Sequence, residues 1–149
     1  MEDCFSFIVD TGCSCSCSPI KEDFKQLVKL PTPITLKGIT GEVICKYGRT
    51  IKVEIINEKG HIVTVETPGH CNPDQAVRLF SPQAHFWLMP KKEGTFCMSW
   101  AKTFLYLPGM GKLPLAIDQT SFMPLLTCFH DANKVVKQMA NSCVTDDTN

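Results

Sequence analysis

Two neighbouring stretches carry residue types that could do chemistry: Asp10-Thr11-Gly12, which ends the apolar run Phe7-Ile8-Val9, and Cys13, Cys15 and Cys17, which alternate with serines. A lone aspartate has a pKa near ~3.9 and is a poor base at neutral pH. Two aspartates forced together resist double ionisation and share a proton. Such a pair can activate a water and protonate a leaving amine, which is general acid–base hydrolysis of an amide. The chain holds one such tripeptide, since Asp3, Asp74 and Asp118 are not followed by Thr-Gly or Ser-Gly. The second aspartate must then come from another copy, across a two-fold axis. Gly12, without a Cβ, lets the backbone turn close beneath the carboxylate and donate its N–H. The Thr11 hydroxyl could bond to the opposite loop. Taken alone, the tripeptide equally fits an ordinary strand-to-turn exit.

The cysteines pose a competing reading. On a regular strand Cys13, Cys15 and Cys17 share one face, spaced too widely for one tetrahedral metal site unless the chain bends. His70-Cys71 could add ligands, but no spacing fixes their distance. We therefore assign no metal and read Cys15 and Cys17 as small reduced residues in a loop, with soft-metal or redox binding as the alternative. Nine cysteines is an odd number, and the first residues show no export signal. Reduced thiols in the cytoplasm are expected.

The elements that must position these residues are mostly short strands. The 149 residues are 44% apolar and 20% charged, as in a globular chain, and fifteen basic residues balance fifteen acidic ones. No whole-chain field favours nucleic acid or an anionic membrane, and no stretch is long and apolar enough for a bilayer span. Phe5 to Val9 reads as a buried strand ending at Asp10. Glu22 to Leu30 reads as a short helix, with Phe24, Leu27 and Val28 on one face, stopped by Pro31 and Pro33. Ile34 and Leu36 alternate with polar residues, Gly38 and Gly41 bracket a turn, and Gly48 reads as a break after an extended Val43 to Lys46. Ile51, Val53 and Ile55 and then Val63 and Val65 alternate around Asn57-Glu58-Lys59-Gly60, the best hairpin in the sequence. Pro68 to Pro73 reads as a loop. Ala76 to Phe80 is a second apolar run, and Ser81-Pro82 is an N-cap and first-turn pair for a helix from Pro82 to Phe86. Lys91 to Gly94 is a polar break. Phe96, Met98 and Trp100 alternate beyond it, a second hairpin turns at Pro108 to Gly111, and Asp131 caps a last helix from Ala132 to Met139, ahead of a polar tail.

"FIVDTGCS" resembles the active-site motif of retropepsin-type aspartic proteases. The wider pattern "DTGCSCSCSPIKEDF", "LKGITGEV" and "AVRLFSPQAHF" is similar to the protease region of Copia-type retrotransposon polyproteins. The stretch from Gly94 to Thr127 resembles the β-rich piece that follows it there. The resemblance implies that Asp10 is the catalytic aspartate, with Thr11 and Gly12 as supports of its loop. It implies that Gly38, Ile39, Thr40 and Gly41 form the tip of a flap over an extended peptide, and that Leu79-Phe80 packs behind the catalytic loop.

The expected fold is all-β: a retropepsin-like small closed barrel with a flap hairpin and a short helix over residues 1–90, followed by a β-rich extension over 91–149 with a short C-terminal helix. The expected function is that of an aspartic endopeptidase of a retrotransposon-type polyprotein. It would act as a cytoplasmic homodimer on a polyprotein peptide substrate, without cofactor, nucleic acid or membrane. A catalytically inactive binding or dimerisation module of the same build, and a Cys-cluster metal-binding protein, are the alternatives.

Overall fold

A computed structural model of the chain describes residues 3–38, 41–88, 94–99 and 101–147. Eleven strands and two helices follow in the order β1 (Cys4–Val9), β2 (Ser16–Ser18), β3 (Phe24–Gly38), β4 (Gly41–Ile56), β5 (Ile62–Cys71), β6 (Arg78–Phe80), α1 (Pro82–Leu88), β7 (Thr95–Met98), β8 (Thr103–Leu107), β9 (Gly111–Pro114), β10 (Ala116–Ile117), β11 (Pro124–Phe129) and α2 (Ala132–Asp147). The protein is mostly β, as expected. Strands β11, β1, β6, β2, β5 and β4 are neighbours in that order, and a β11–β4 pairing, Phe129 to Glu54, closes them into a six-stranded barrel.

Alternation builds the wall. Ile51, Val53 and Ile55 are buried while Lys52 between them is exposed, as the period of two requires. They meet Phe7, Val9, Val65, Phe80 and Leu126 in one apolar core. The turn between β4 and β5 lies at Asn57 to Gly60. The Asn57 carbonyl accepts from Gly60 N–H at 2.9 Å, and Gly60 takes φ +81°, a conformation that favours glycine.

β7, β8 and β9 form a separate three-stranded sheet that supplies Leu105, Leu107 and Leu113 to the same core. Asn57 Nδ2 and Glu58 N–H donate to the carbonyls of Met110 and Lys112, tying that sheet to the β4–β5 turn. The barrel thus draws strands from both sides of the break expected near residue 91: β11 pairs with β1 over Cys4 to Ile8.

β3 and β4 make a long antiparallel hairpin. β5 accompanies β4 only from Tyr47 to Ile56, so the distal part, Ile34–Gly38 against Gly41–Cys45, extends past the β5 pairing as a two-stranded arm. Its last pair is Gly38 with Gly41; Ile39 and Thr40 lie outside the described residues. The register slips between Lys29 and Ile34, where Pro31 and Pro33 lack the N–H a ladder needs.

Several local expectations are corrected. Glu22 to Leu30 is not a helix: a single 3-10 turn at Lys21–Asp23 leads into β3, which pairs with β4 from Phe24 to Lys29. Gly48 does not break β4, because the strand runs through it with His70 opposite. Pro68 to Cys71 belongs to β5 rather than to a loop. Both helices run past their expected ends, to Leu88 and to Asp147. The caps are as expected: Ser81 Oγ accepts from Ala84 N–H, and Asp131 Oδ1 accepts from Lys134 N–H. Trp100 and residues 91–93 lie outside the described residues.

Candidate active site

β1 and β6 lie side by side and parallel, with Val9 opposite Phe80. The next rung is the Asp10 N–H donating to the Phe80 carbonyl at 2.9 Å. Asp10 therefore leaves the barrel at the end of a core strand with its backbone still tethered, while its side chain is only partly buried. Its Oδ1 accepts from Gly12 N–H at 2.8 Å, and Cys13 N–H donates to the Asp10 carbonyl at 3.3 Å, closing the turn. A Cβ on Gly12 would lie 3.2 Å from Asp10 Oδ1, a tight contact that would push the carboxylate by a few tenths of an ångström.

Helix α1 holds the turn from behind. Gln83 Nε2 donates to the carbonyls of Thr11 at 2.6 Å and Cys13 at 2.7 Å. Ser81 Oγ donates to the same Cys13 carbonyl at 2.6 Å, while Ser81 N–H donates to Ser16 Oγ. Thr11 is exposed and contributes its carbonyl to this clamp. The roles of Ser81 and Gln83 were not assigned from sequence. The "SPQ" run after an apolar strand is the available signal; it marks a helix start and is part of the resemblance above, but neither tells that these two side chains reach the Cys13 carbonyl.

Beside the turn lies a cleft of about 620 Å³ whose lining includes Gly12, Cys13, Leu79 and Asp74. Thr35, Leu36 and Val43, from the projecting arm of β3 and β4, form part of the same lining. Of the expected flap residues, Gly38 and Gly41 are paired at the end of this arm. The cleft thus lies between the arm and the Gly12–Cys13 end of the loop; Asp10 and Thr11 flank it without lining it.

The three cysteines do not lie on a regular strand. Ser14 and Cys15 form a bend before β2 begins at Ser16, and the bend turns alternation into convergence. The sulfurs of Cys13, Cys15 and Cys17 all lie within 4.8 Å of one another, with Cys15 and Cys17 3.7 Å apart. Hydrogen bonding from Cys15 and then Cys17 pulls the Cys13 thiol down to about 3, while the same shared bond with Cys13 pushes Cys15 up to about 11 and also raises Cys17. The three thiols are thus unequal, Cys13 being the most readily ionised, although its Sγ here donates to the Cys15 carbonyl at 2.7 Å. His70 and Cys71 do not join this donor group.

A second polar centre was invisible in the sequence. Asp23, fully buried, accepts from Arg78 Nε at 2.6 Å and from Ser18 Oγ, and lies 2.8 Å from His130 Nε2. Arg78 also stacks 4.1 Å over the Phe5 ring. This network ties β2, β6 and the end of β11 together beside the start of β1. Among the described residues, no helix is long and apolar enough to cross a membrane. Comparison of the chain with protein-family models, curated proteins and solved structures finds no match.

Proposed function

We propose that the chain is one half of an aspartic endopeptidase, retropepsin-like in build, whose centre forms when two copies bring their Asp10 side chains together about a two-fold axis. The observation that carries this reading is the Asp10 turn itself. A carboxylate at the exit of a buried strand is oriented by the Gly12 N–H, clamped through α1, and set beside a cleft that a projecting hairpin helps to line.

In such a pair one carboxylate is ionised and the other holds the shared proton. The ionised Asp10 takes a proton from a water placed between the two. The protonated partner hydrogen-bonds the scissile carbonyl as the water's oxygen attacks carbon. The tetrahedral intermediate then collapses as the amine leaves with a proton from the pair. The arm formed by β3 and β4 offers backbone groups along an extended peptide, the geometry of strand addition. The substrate class this favours is an extended segment of a polyprotein of retrotransposon type, and the working form is a homodimer.

The test is cleavage of a peptide library by the purified chain. Cleavage should be sensitive to pepstatin, and Asp10→Asn should lower it by roughly 10²- to 10⁴-fold, the usual contribution of a general acid–base group. Dimers without pepstatin-sensitive cleavage would instead favour a binding module.

A further inference from the structure

We propose that Cys13, Cys15 and Cys17 form a three-thiolate site for one thiophilic d10 metal ion, Zn²⁺ or Cu⁺, with a remaining coordination position open to the cleft beside Asp10. Soft thiolate ligands select such ions. Zinc–sulfur bonds of about 2.3 Å set a tetrahedral sulfur–sulfur edge of about 3.8 Å. The Cys15 and Cys17 sulfurs already stand 3.7 Å apart, and all three fall within 4.8 Å. Moving Cys13 inward by at most about 1 Å completes one face of a tetrahedron; on losing its proton as the metal binds, the Cys13 sulfur gives up its bond to the Cys15 carbonyl and is free to turn inward.

The surroundings favour a built site over packing. All three line the cleft wall, Cys13 and Cys15 partly exposed and Cys17 buried at its base. Their backbone is held on both flanks: Cys13 by Ser81 and Gln83, and Cys17 by β2's pairing with β5 and β6. Among the described residues no fourth His, Cys, Asp or Glu joins the donor group. A solvent or ligand atom from the cleft would therefore complete a zinc ion's coordination, whereas Cu⁺ could be held by the three sulfurs alone.

An ion here would stiffen the chain between Asp10 and β2 and occupy cleft volume. If the peptidase reading holds, metal should therefore inhibit cleavage; that consequence rests on the reading above, whereas the binding itself does not. The test uses the full chain, reduced and metal-free, titrated with Zn²⁺, with Cd²⁺ as a spectroscopic probe, and with Cu⁺ in a separate arm. Uptake of one ion per chain is expected, with a sulfur-to-cadmium charge-transfer band. Cys13→Ser, Cys15→Ser and Cys17→Ser should each weaken binding at least tenfold, while Cys97→Ser and Asp10→Asn leave it unchanged. Bound metal should also protect the partly exposed Cys13 and Cys15 thiols of the unmodified chain from alkylation, read by mass spectrometry, which needs no variant to fold. Substoichiometric uptake of both Zn²⁺ and Cu⁺, undiminished binding by the serine variants, or alkylation unaffected by metal would overturn the site. Stoichiometric binding without any peptidase activity would refute only the function proposed above.

Discussion

Replacing Asp23 with asparagine keeps the side chain's shape and removes its charge. In the folded chain that carboxylate is 0% exposed and faces Arg78, itself 20% exposed at the side chain, together with His130 and Ser18. Taking away one partner of a buried ion pair leaves the other charge uncompensated and costs about 3–5 kcal/mol. Arg78 keeps some contact with water and with the Phe5 ring, so the lower end, about 3 kcal/mol, is the expected loss. Domains of this size hold only about 5–15 kcal/mol in total. In urea, with slopes of about 1–3 kcal/mol/M, the unfolding midpoint should fall by roughly 1–3 M. Arg78→Met in the Asp23→Asn background should recover part of the loss, because it removes the orphaned charge. The same substitution in the unaltered chain should destabilise it. A midpoint shift below about 0.3 M, or losses that simply add in the double variant, would refute the claim that this ion pair holds β6 to the 3-10 turn ahead of β3.

Burial holds the His85 imidazole down at about 4, against roughly 6.5 when unfolded. The folded state therefore binds fewer protons, and stability should be complete above pH 6.5 and fall as pH drops toward 4. The loss reaches about 3 kcal/mol, at about 1.4 kcal/mol per pKa unit. His70 is lowered by burial in the same direction, so His85→Asn should reduce this acid sensitivity without abolishing it, as denaturant melts across that range would show. Gln83→Ala removes both side-chain bonds to the Thr11 and Cys13 carbonyls; about 1 kcal/mol of stability should go, and peptide cleavage should fall with it. On Gly48 a Cβ would lie 2.7 Å from the Gly69 carbonyl oxygen, so Gly48→Ala must displace β4 from β5 and should cost about 1–3 kcal/mol in thermal melts.

What could be read along the chain was what is local. Alternating Ile51, Val53 and Ile55, the Asn57 to Gly60 turn and the Ser81 cap each depend on neighbours a few residues away, and each is present. Asp10, Thr11 and Gly12 form a tight turn for the same reason. Glu22 to Leu30 misled because Phe24, Leu27 and Val28 match a helical stripe, whereas pairing with residues around Thr50 decided the matter. Asp23 left no signal at all: its partners Arg78 and His130 lie 55 and 107 residues away. Strand spacing would hold the three cysteine sulfurs apart, and a bend of two residues, Ser14 and Cys15, brings them together. The break near residue 91 was a composition signal, whereas the role of β11 in closing the barrel depends on long-range register.

The central claim is that two Asp10 side chains, one from each copy, act as one catalytic pair. Subunit mixing tests it most directly: a fixed amount of unaltered chain is titrated with Asp10→Asn chain while pepstatin-sensitive cleavage is followed. The account predicts that excess variant quenches the activity by drawing active chains into mixed dimers, and that the specific rate of the unaltered chain rises with its concentration. Cleavage that is indifferent to added variant and strictly proportional to chain concentration would contradict it.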